Sequence, residues 1–458
     1  MMNSNPESLS PNESLSEKQT RGMRSVIATQ VSATPPNMIM DKGGILILYM
    51  TAMLIPPEQI LFLASLFSLT ASFLTIASSY VADRVGPKSL GTTGILITIV
   101  AFWGIVLAGF SPREQAALVM GCCIVLYSLG ASMLGGGWLA LMHPLIPEDR
   151  RGRFLGKLRF CVNTSVLVTS IPLAFLLAKD SPVWLFQVIF IVPGVFLLLR
   201  FFFYRRIPQM ERPAVERKSL RTVITDIIRT PGYTPFIAYV FLLSLVTRNA
   251  PALFCLLEKN VLGFGDNIVV AAGFAATIGA MAGLIVGGRI VDRYGTRVVF
   301  VISHLSFGLI YGLFLIRDTA VFLIPGFFDT HLQSFTEPVS GSLFVFMSLL
   351  QMLFGLVMAV SGLAITTELF AIIPPKNKAF ASGISISMIR LGIALSGMLS
   401  AWILNSGLLS DTWFLWGSER SAYDSLLLLS AVMVVVLVVT LGLVPSVIGK
   451  VYWGPVDE

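Results

Sequence analysis

Long apolar runs, separated by short connections rich in charge, glycine and proline, dominate the chain from about residue 25 to residue 446. A helix needs about twenty apolar residues to cross the ~30 Å hydrocarbon layer of a bilayer. Windows of that size predict twelve spans, at 25–54, 60–82, 90–110, 116–142, 154–178, 183–204, 235–257, 267–289, 298–316, 342–372, 379–404 and 424–446. The first is the least regular, because Thr34-Pro35-Pro36-Asn37 and Asp41-Lys42 interrupt it. Residues 1–20 are rich in Asn, Ser, Pro and Glu and predict a disordered tail. They hold no apolar run behind a basic start, so a cleavable leader is not expected. The pattern divides the rest into a first six-helix half at 21–204, a polar central loop at 205–234, a second half at 235–446 and a short tail at 447–458.

Composition sharpens this picture. Apolar side chains make up 55% and charged ones only 12%, against about 25% charged in an ordinary soluble domain. With a mean hydropathy of +0.82, a secreted enzyme, a nucleic-acid binder and a disordered chain are all excluded. The four cysteines, Cys122, Cys123, Cys161 and Cys255, fall inside apolar segments without zinc spacing, and read as small buried hydrophobes. His143, His304 and His331 are scattered, and no Ser/His/Asp grouping, nucleotide-binding glycine loop or carboxylate pair is present. Neither an enzyme nor a cofactor or metal site is expected.

The net charge of +7 reports orientation. Of 32 Lys and Arg residues, 24 fall on the side of the connections after even-numbered spans, which also carries both termini, while 5 lie on the other face and 3 inside spans. Basic residues prefer the cytoplasmic side of short loops. The distribution predicts an integral, multi-pass protein of the plasma membrane with both termini in the cytoplasm and the lipid bilayer, not nucleic acid, as its partner. In the central loop, Leu220, Val223, Ile224, Ile227 and Ile228 share one helical face, which predicts a short helix lying on the inner leaflet.

Two connections repeat each other. After span 2 the chain reads Ser79-Tyr80-Val81-Ala82-Asp83-Arg84-Val85-Gly86-Pro87-Lys88, and after span 8 it reads Gly288-Arg289-Ile290-Val291-Asp292-Arg293-Tyr294-Gly295-Thr296-Arg297. Both follow small-x-x-x-Asp-Arg-x-Gly-x-basic, offset by 209 residues. A second pair, Ile146-Pro147 after span 4 and Ile373-Pro374 after span 10, is offset by 227, so the second half holds extra residues in the long outer stretch 317–341.

On these features the chain resembles the major facilitator superfamily over nearly its full length after residue 20. The resemblance implies an all-α membrane protein of twelve transmembrane helices, in two pseudo-symmetric six-helix bundles around a central cavity, which rock to expose that cavity alternately. Ser79 replaces the glycine usual at the start of the first signature. The glycine-rich motif of many proton-driven drug exporters is not seen in span 5, and Arg205 to Arg212 is not a convincing match to the sugar-porter motif. By resemblance, Asp83, Arg84, Gly86 and Lys88 form one half of a cytoplasmic gate facing span 11, and Asp292, Arg293, Gly295 and Arg297 form the other half facing span 5. A carboxylate there can meet the positive N-terminus of a helix. The plainer alternative is a topology signal in a solvated turn.

Charges inside the spans mark candidate chemistry. Asp41 and Lys42 lie near the middle of span 1, Arg248 and Asn249 about twelve residues into span 7, and Arg390 about eleven into span 11. A charge at the bilayer centre costs about 2.5–3.5 kcal/mol on the gentlest scale, so such groups face a wet cavity or one another. The breaks in spans 1 and 7 sit at matching depth under the repeat, each beside proline: Pro35-Pro36 and Pro251. These five residues are expected to bind substrate or a coupling ion. An internal Asp41–Arg248 or Asp41–Arg390 ion pair is the structural alternative. Three cations against one carboxylate favour an anionic or carboxylate-bearing solute, with Arg suited to bidentate recognition. Asp41 reads as the one acid deep enough to carry a proton, since Glu368 lies near the inner end of span 10.

The expected function is a secondary active transporter of a small solute, working by alternating access with proton or sodium as the possible coupling ion. A proton-coupled sugar or drug transporter, and a transporter-like sensor or assembly protein that moves nothing, are the alternatives. In span 8, Ala275, Gly279, Gly283 and Gly287 recur every four residues, and predict a face on which a neighbouring helix packs closely.

Overall fold

The computed structural model describes residues 15–41, 44–142, 145–146, 151–177, 180–209, 225, 227–336, 339–372, 378–410 and 412–441. The first half comprises α1 (Leu15–Asp41), α2 (Gly44–Ala52), α3 (Pro57–Val85), α4 (Pro87–Leu107), α5 (Arg113–Met142), α6 (Arg151–Leu176) and α7 (Val183–Arg205). The second half comprises α8 (Tyr233–Thr247), α9 (Ala250–Asn260), α10 (Asp266–Leu315), the short α11 (Arg317–Ala320) and α12 (Phe327–Thr336), then α13 (Gly341–Ile372), α14 (Lys378–Asn405) and α15 (Ala422–Leu441).

Helices occupy all twelve predicted windows, and ten spans among the described residues are long and apolar enough to cross a membrane. The two windows outside that count have physical reasons. The first is covered by α1, which carries Pro35, Pro36 and Asp41, and by α2, with residues 42–43 between them outside the described residues. The fifth, α6, carries Arg151, Arg153, Lys157 and Arg159 in its first turns and Pro172 near its end.

Several boundaries differ from the sequence expectation. Helix α1 begins at Leu15, inside the stretch expected to be a tail. Span 7 continues to Asn260, and the span after the second signature starts at the Gly295 turn, not at 298. The fold is not purely helical either. Strands β1 (Thr412–Leu415) and β2 (Ser418–Ser421) pair antiparallel between α14 and α15. Their two-residue turn has Trp416 at φ 49° and Gly417 at φ 81°, the left-handed pair that a type I′ hairpin turn demands. The expected inner-leaflet helix lies mostly outside the described residues, as does the tail 447–458.

Both signature glycines reverse the chain between consecutive spans. Gly86 has φ 93° and ψ 134° between α3 and α4, and Gly295 has φ 76° and ψ 162° at the kink inside α10. Such angles are open to glycine and strained for other residues. The doubled motif therefore encodes one backbone turn used twice. The faces of the molecule are named from it: the signature face, and the opposite face.

The two halves meet along α3 and α14, which run antiparallel. Gly397 packs directly on Ser65 near the opposite face, and Arg390 Nη1 donates to Thr75 Oγ1 at 3.2 Å further down. Within the second half, the small-residue ridge of α10 packs on α13. Gly279 faces the Met352 carbonyl, Gly283 that of Leu356, and Gly355 in return faces Ala276. The predicted close-packing face is thus the contact between α10 and α13, two neighbouring helices of one half.

Candidate functional site

A central cavity of about 580 Å³ lies between the halves, a size suited to a small organic solute. Its walls are mainly apolar, with Met38, Ile45 and Phe67 from the first half and Phe274, Phe354 and Met358 from the second. It runs from Glu258, close to the end of α9 on the opposite face, to Thr366, six residues before the end of α13 on the signature face.

An interrupted helix of the second half shapes one wall. Helix α8 ends at Thr247, and α9 starts at Ala250 with Pro251 in its first turn, where a missing N–H costs nothing. Arg248 and Asn249 form the break. Asn249 stands at the N-cap of α9, where an Asn side chain ordinarily bonds the first free N–H groups. Here it makes no cap bond; its Nδ2 lacks a partner among the described residues, and the residue lines the cavity with Arg248. In the first half α1 ends at Asp41 and α2 begins at Gly44. Gly44 sits against Cys255 of α9, leaving only 3.1 Å between a would-be Cβ and Sγ. The start of α2 therefore packs on α9 across the halves, six residues past the break at Arg248 and Asn249.

The remaining expected residues divide. Lys42 and the side chains of Asp41, Asp83 and Asp292 lie outside the described residues. Arg390 is not among the cavity-lining residues; its bond to Thr75 ties α14 to α3. At the signature turns, Arg84 lies over the Tyr80 ring with its guanidinium 4.4 Å from the centroid, and Arg293 and Arg297 are exposed. Thr296 donates to Glu368 Oε2 at 2.7 Å, joining the second signature to α13.

One residue overturns an expectation. Asp41 is not the sole deep acid, because Glu258 lines the cavity and is 0% exposed. It falls one position past the end predicted for span 7, and the longer helix carries it inside. The same residue corrects the charge balance: among the described lining residues, one cation, Arg248, is set against one acid, Glu258.

Sequence reasoning also missed a clamp on the opposite face. Lys259, at the end of α9, places Nζ 2.8 Å from Asp266 Oδ1 and 2.9 Å from Asp180 Oδ1. Asp266 Oδ2 accepts the Ser181 backbone N–H at 2.8 Å. Asp180 and Ser181 belong to the α6–α7 turn and Lys259 and Asp266 to the α9–α10 turn, so the cluster fastens one half to the other. Lys259 is 15% and Asp266 4% exposed, which screens the pair far less than a surface bridge. Sequence shows only scattered charges in two outer turns; nothing there pairs them.

The clamp gives a direct prediction. Cys255 is buried in the cavity wall behind it. In a Cys122→Ser, Cys123→Ser, Cys161→Ser background, Lys259→Met should raise labelling of Cys255 from the opposite face roughly tenfold, the equivalent of one lost charge-assisted bond. Unchanged labelling would show that the clamp does not hold that side shut.

Among the described residues, no group of three His, Cys, Asp or Glu side chains could hold a metal ion. A family model described as Major Facilitator Superfamily matches residues 38–336. No curated protein sequence matches the chain. Solved structures match over most of its length. The nucleoside transporter NupG aligns with TM-score 0.61 at 14% identity, over 93% of this chain and 98% of its own. A POT family transporter in complex with 5-aminolevulinic acid aligns with TM-score 0.67 at 14% identity, over 93% and 96%. A bacterial homologue of the iron transporter ferroportin, in an inward-facing state, aligns with TM-score 0.63 at 13% identity, over 94% and 98%. At these identities the likeness is one of fold.

Proposed function

Because the chain belongs to the Major Facilitator Superfamily, and is a membrane transporter and not an enzyme, we propose that it moves a small solute bearing an anionic or carboxylate group by exposing the central cavity to each side in turn. The observation that carries this reading is the α8–α9 break, where Arg248 and the Asn249 amide, whose Nδ2 lacks a partner among the described residues, meet the cavity. A guanidinium offers a planar fork matched to a carboxylate or phosphate, and an apolar cavity strengthens that bond by excluding water.

The two faces supply the alternation. On the opposite face, Lys259, Asp266 and Asp180 close the path. On the signature face, the antiparallel register of α3 and α14 set by Ser65–Gly397 and Thr75–Arg390, continued down α3, leads from position 83 to roughly the second turn of α14. That supports a gate there, with Asp292 and α6 as its counterpart. The excess of Lys and Arg on the signature face supports a cytoplasmic location for it. Coupling to a proton or sodium gradient belongs to the same proposal.

The test is a thermal-shift and calorimetric screen of mono- and dicarboxylates and organic phosphates on the purified protein, since a ligand stabilises the state it binds. Arg248→Lys keeps the charge and loses the fork, so affinity for the best anion should fall about ten- to a hundredfold, the worth of one good charged hydrogen bond, with little change in Tm. A variant that melts early yet binds normally would make Arg248 structural. Binding without counterflow in proteoliposomes would make the protein a sensor.

A further inference from the structure

We propose that the end of the cavity behind the clamp is a subsite for a cationic amino group, formed by Glu258 and Gln351, so that the solute is a zwitterion with an apolar middle. This rests on the preceding reading that the cavity is the solute site, and it adds the second pole.

Glu258 is fully enclosed, yet it is one of the cavity-lining residues. Gln351 of α13 donates from Nε2 to Glu258 Oε1 at 2.7 Å, and Oε2 has no partner among the described residues. A carboxylate has about four lone-pair sites, and one amide bond leaves most of them unused. The neighbouring ammonium of Lys259 is engaged by Asp266 and Asp180. Adjacent helical residues point about 100° apart, from 3.6 residues per turn, so Lys259 closes the outer turn while Glu258 faces inward.

Leaving a buried carboxylate so poorly satisfied costs several kcal/mol. A structural tie between α9 and α13 would not require a carboxylate, since a second amide would satisfy both sides with no charge to bury. An ammonium group, with three donors and a positive charge, completes what Gln351 begins. The Gln351 bond also fixes the plane of the carboxyl group, so the open oxygen is held ready and need not be ordered on binding.

The other pole is Arg248. It precedes Glu258 by ten residues, about 15 Å of helical rise, and both line the same cavity. Cys255, Phe274, Phe354 and Met358 also line it. An acid at one end, an amine at the other and a hydrocarbon or aromatic body between them match this sequence of groups.

The experiment uses the purified full chain and a graded set of probes, the ω-aminocarboxylates from 4-aminobutanoate to 12-aminododecanoate, each beside its matched alkanoate and alkylamine. For at least one chain length, the wild-type protein should bind the zwitterion more tightly than either single-pole partner. Glu258→Gln should weaken that zwitterion about ten- to a hundredfold, by the loss of one charge-assisted bond, and leave the matched alkanoate unaffected. Arg248→Gln should weaken both. Gln351→Met, which keeps the carboxyl group, gives a second reading if Glu258→Gln does not fold; it should weaken only the zwitterion, by several-fold.

If alkanoates bind, Arg248→Gln abolishes their binding, and the amine adds nothing at any length, the amino subsite is wrong while the anion-binding cavity stands. If Glu258→Gln keeps the preference for the zwitterion, the subsite is likewise wrong. If no probe in the series binds, the subsite and the anionic solute fall together.

Discussion

Replacing Asp424 with leucine should cost about 3–5 kcal/mol of stability, the usual penalty for stripping the partner from a buried charge. Arg317 is 2% and Asp424 0% exposed, and their contacts are bidentate, with Nη1 to Oδ1 at 2.5 Å and Nη2 to Oδ2 at 3.3 Å. Arg317 Nη1 also donates to the Phe314 carbonyl, and Asp424 Oδ2 accepts both the N–H and the hydroxyl of Ser421. The pair joins α11, two residues past the end of the long α10, to the start of the last helix, α15. Arg420 adds a bridge to Asp318 beside it. Removing the carboxylate leaves a guanidinium enclosed with a single carbonyl to satisfy it. Removing both charges lifts that penalty, so Arg317→Met with Asp424→Leu should be clearly more stable than Asp424→Leu alone. Unfolding in a denaturing detergent, followed through the tryptophan signal, measures all three. Strictly additive losses would show that the two groups are not coupled.

These same residues show where sequence reading stops. Arg317 and Arg420 could be placed on the face poor in basic residues, because hydropathy and charge bias act through the immediate surroundings of each span. Their partners could not be named, since pairing is fixed by how distant turns meet in space. The Lys259 clamp was hidden for the same reason. The spans themselves were legible, because a bilayer imposes a length and a composition on every crossing helix. So was the repeat, since Gly86 and Gly295 each occupy a positive-φ turn that side chains resist.

The cavity was legible by half. Proline beside charge marked Arg248, and α8 does end there; the matching position in the first half, Lys42, lies outside the described residues. Glu258 escaped because a window set by hydropathy stops at the first charge, whereas a helix stops where its hydrogen bonding does. The α9 helix continues to Asn260, and those three further residues carry the acid into the cavity wall. The hairpin at Trp416-Gly417 escaped because a strand pair of four residues gives too short a pattern to separate from a loop. The one local signal was a glycine beside an aromatic residue at its turn.

The second large effect should come from the smallest side chains. Gly279→Ala is expected to destabilise the protein by about 1–3 kcal/mol, the usual cost of overpacking, although alanine is the better helix former. A methyl group at Gly279 would overlap the backbone carbonyl of Met352, and one at Gly355 would overlap that of Ala276. Neither obstacle is a flexible side chain that can swing away, so α10 and α13 must separate. Within a bilayer, lipid tails are as apolar as the residues they would replace at the interface. Association therefore depends on close van der Waals approach, and separation forfeits contacts along the whole ridge, through Gly283 on Leu356 and Gly287 on Val360 and Leu363. Gly288 provides the control. It is helical, on the adjacent position, and a Cβ there meets nothing within 4 Å. Gly288→Ala should therefore be neutral or gain about 0.5–1 kcal/mol from the propensity difference alone. Gly279→Ala with Gly355→Ala should cost less than the sum of the two single changes, because the first already pushes the helices apart. Detergent unfolding of the four variants tests this. Equal behaviour of Gly279→Ala and Gly288→Ala would mean that the ridge yields without loss, and that α10 and α13 are free to slide past each other as the cavity changes sides.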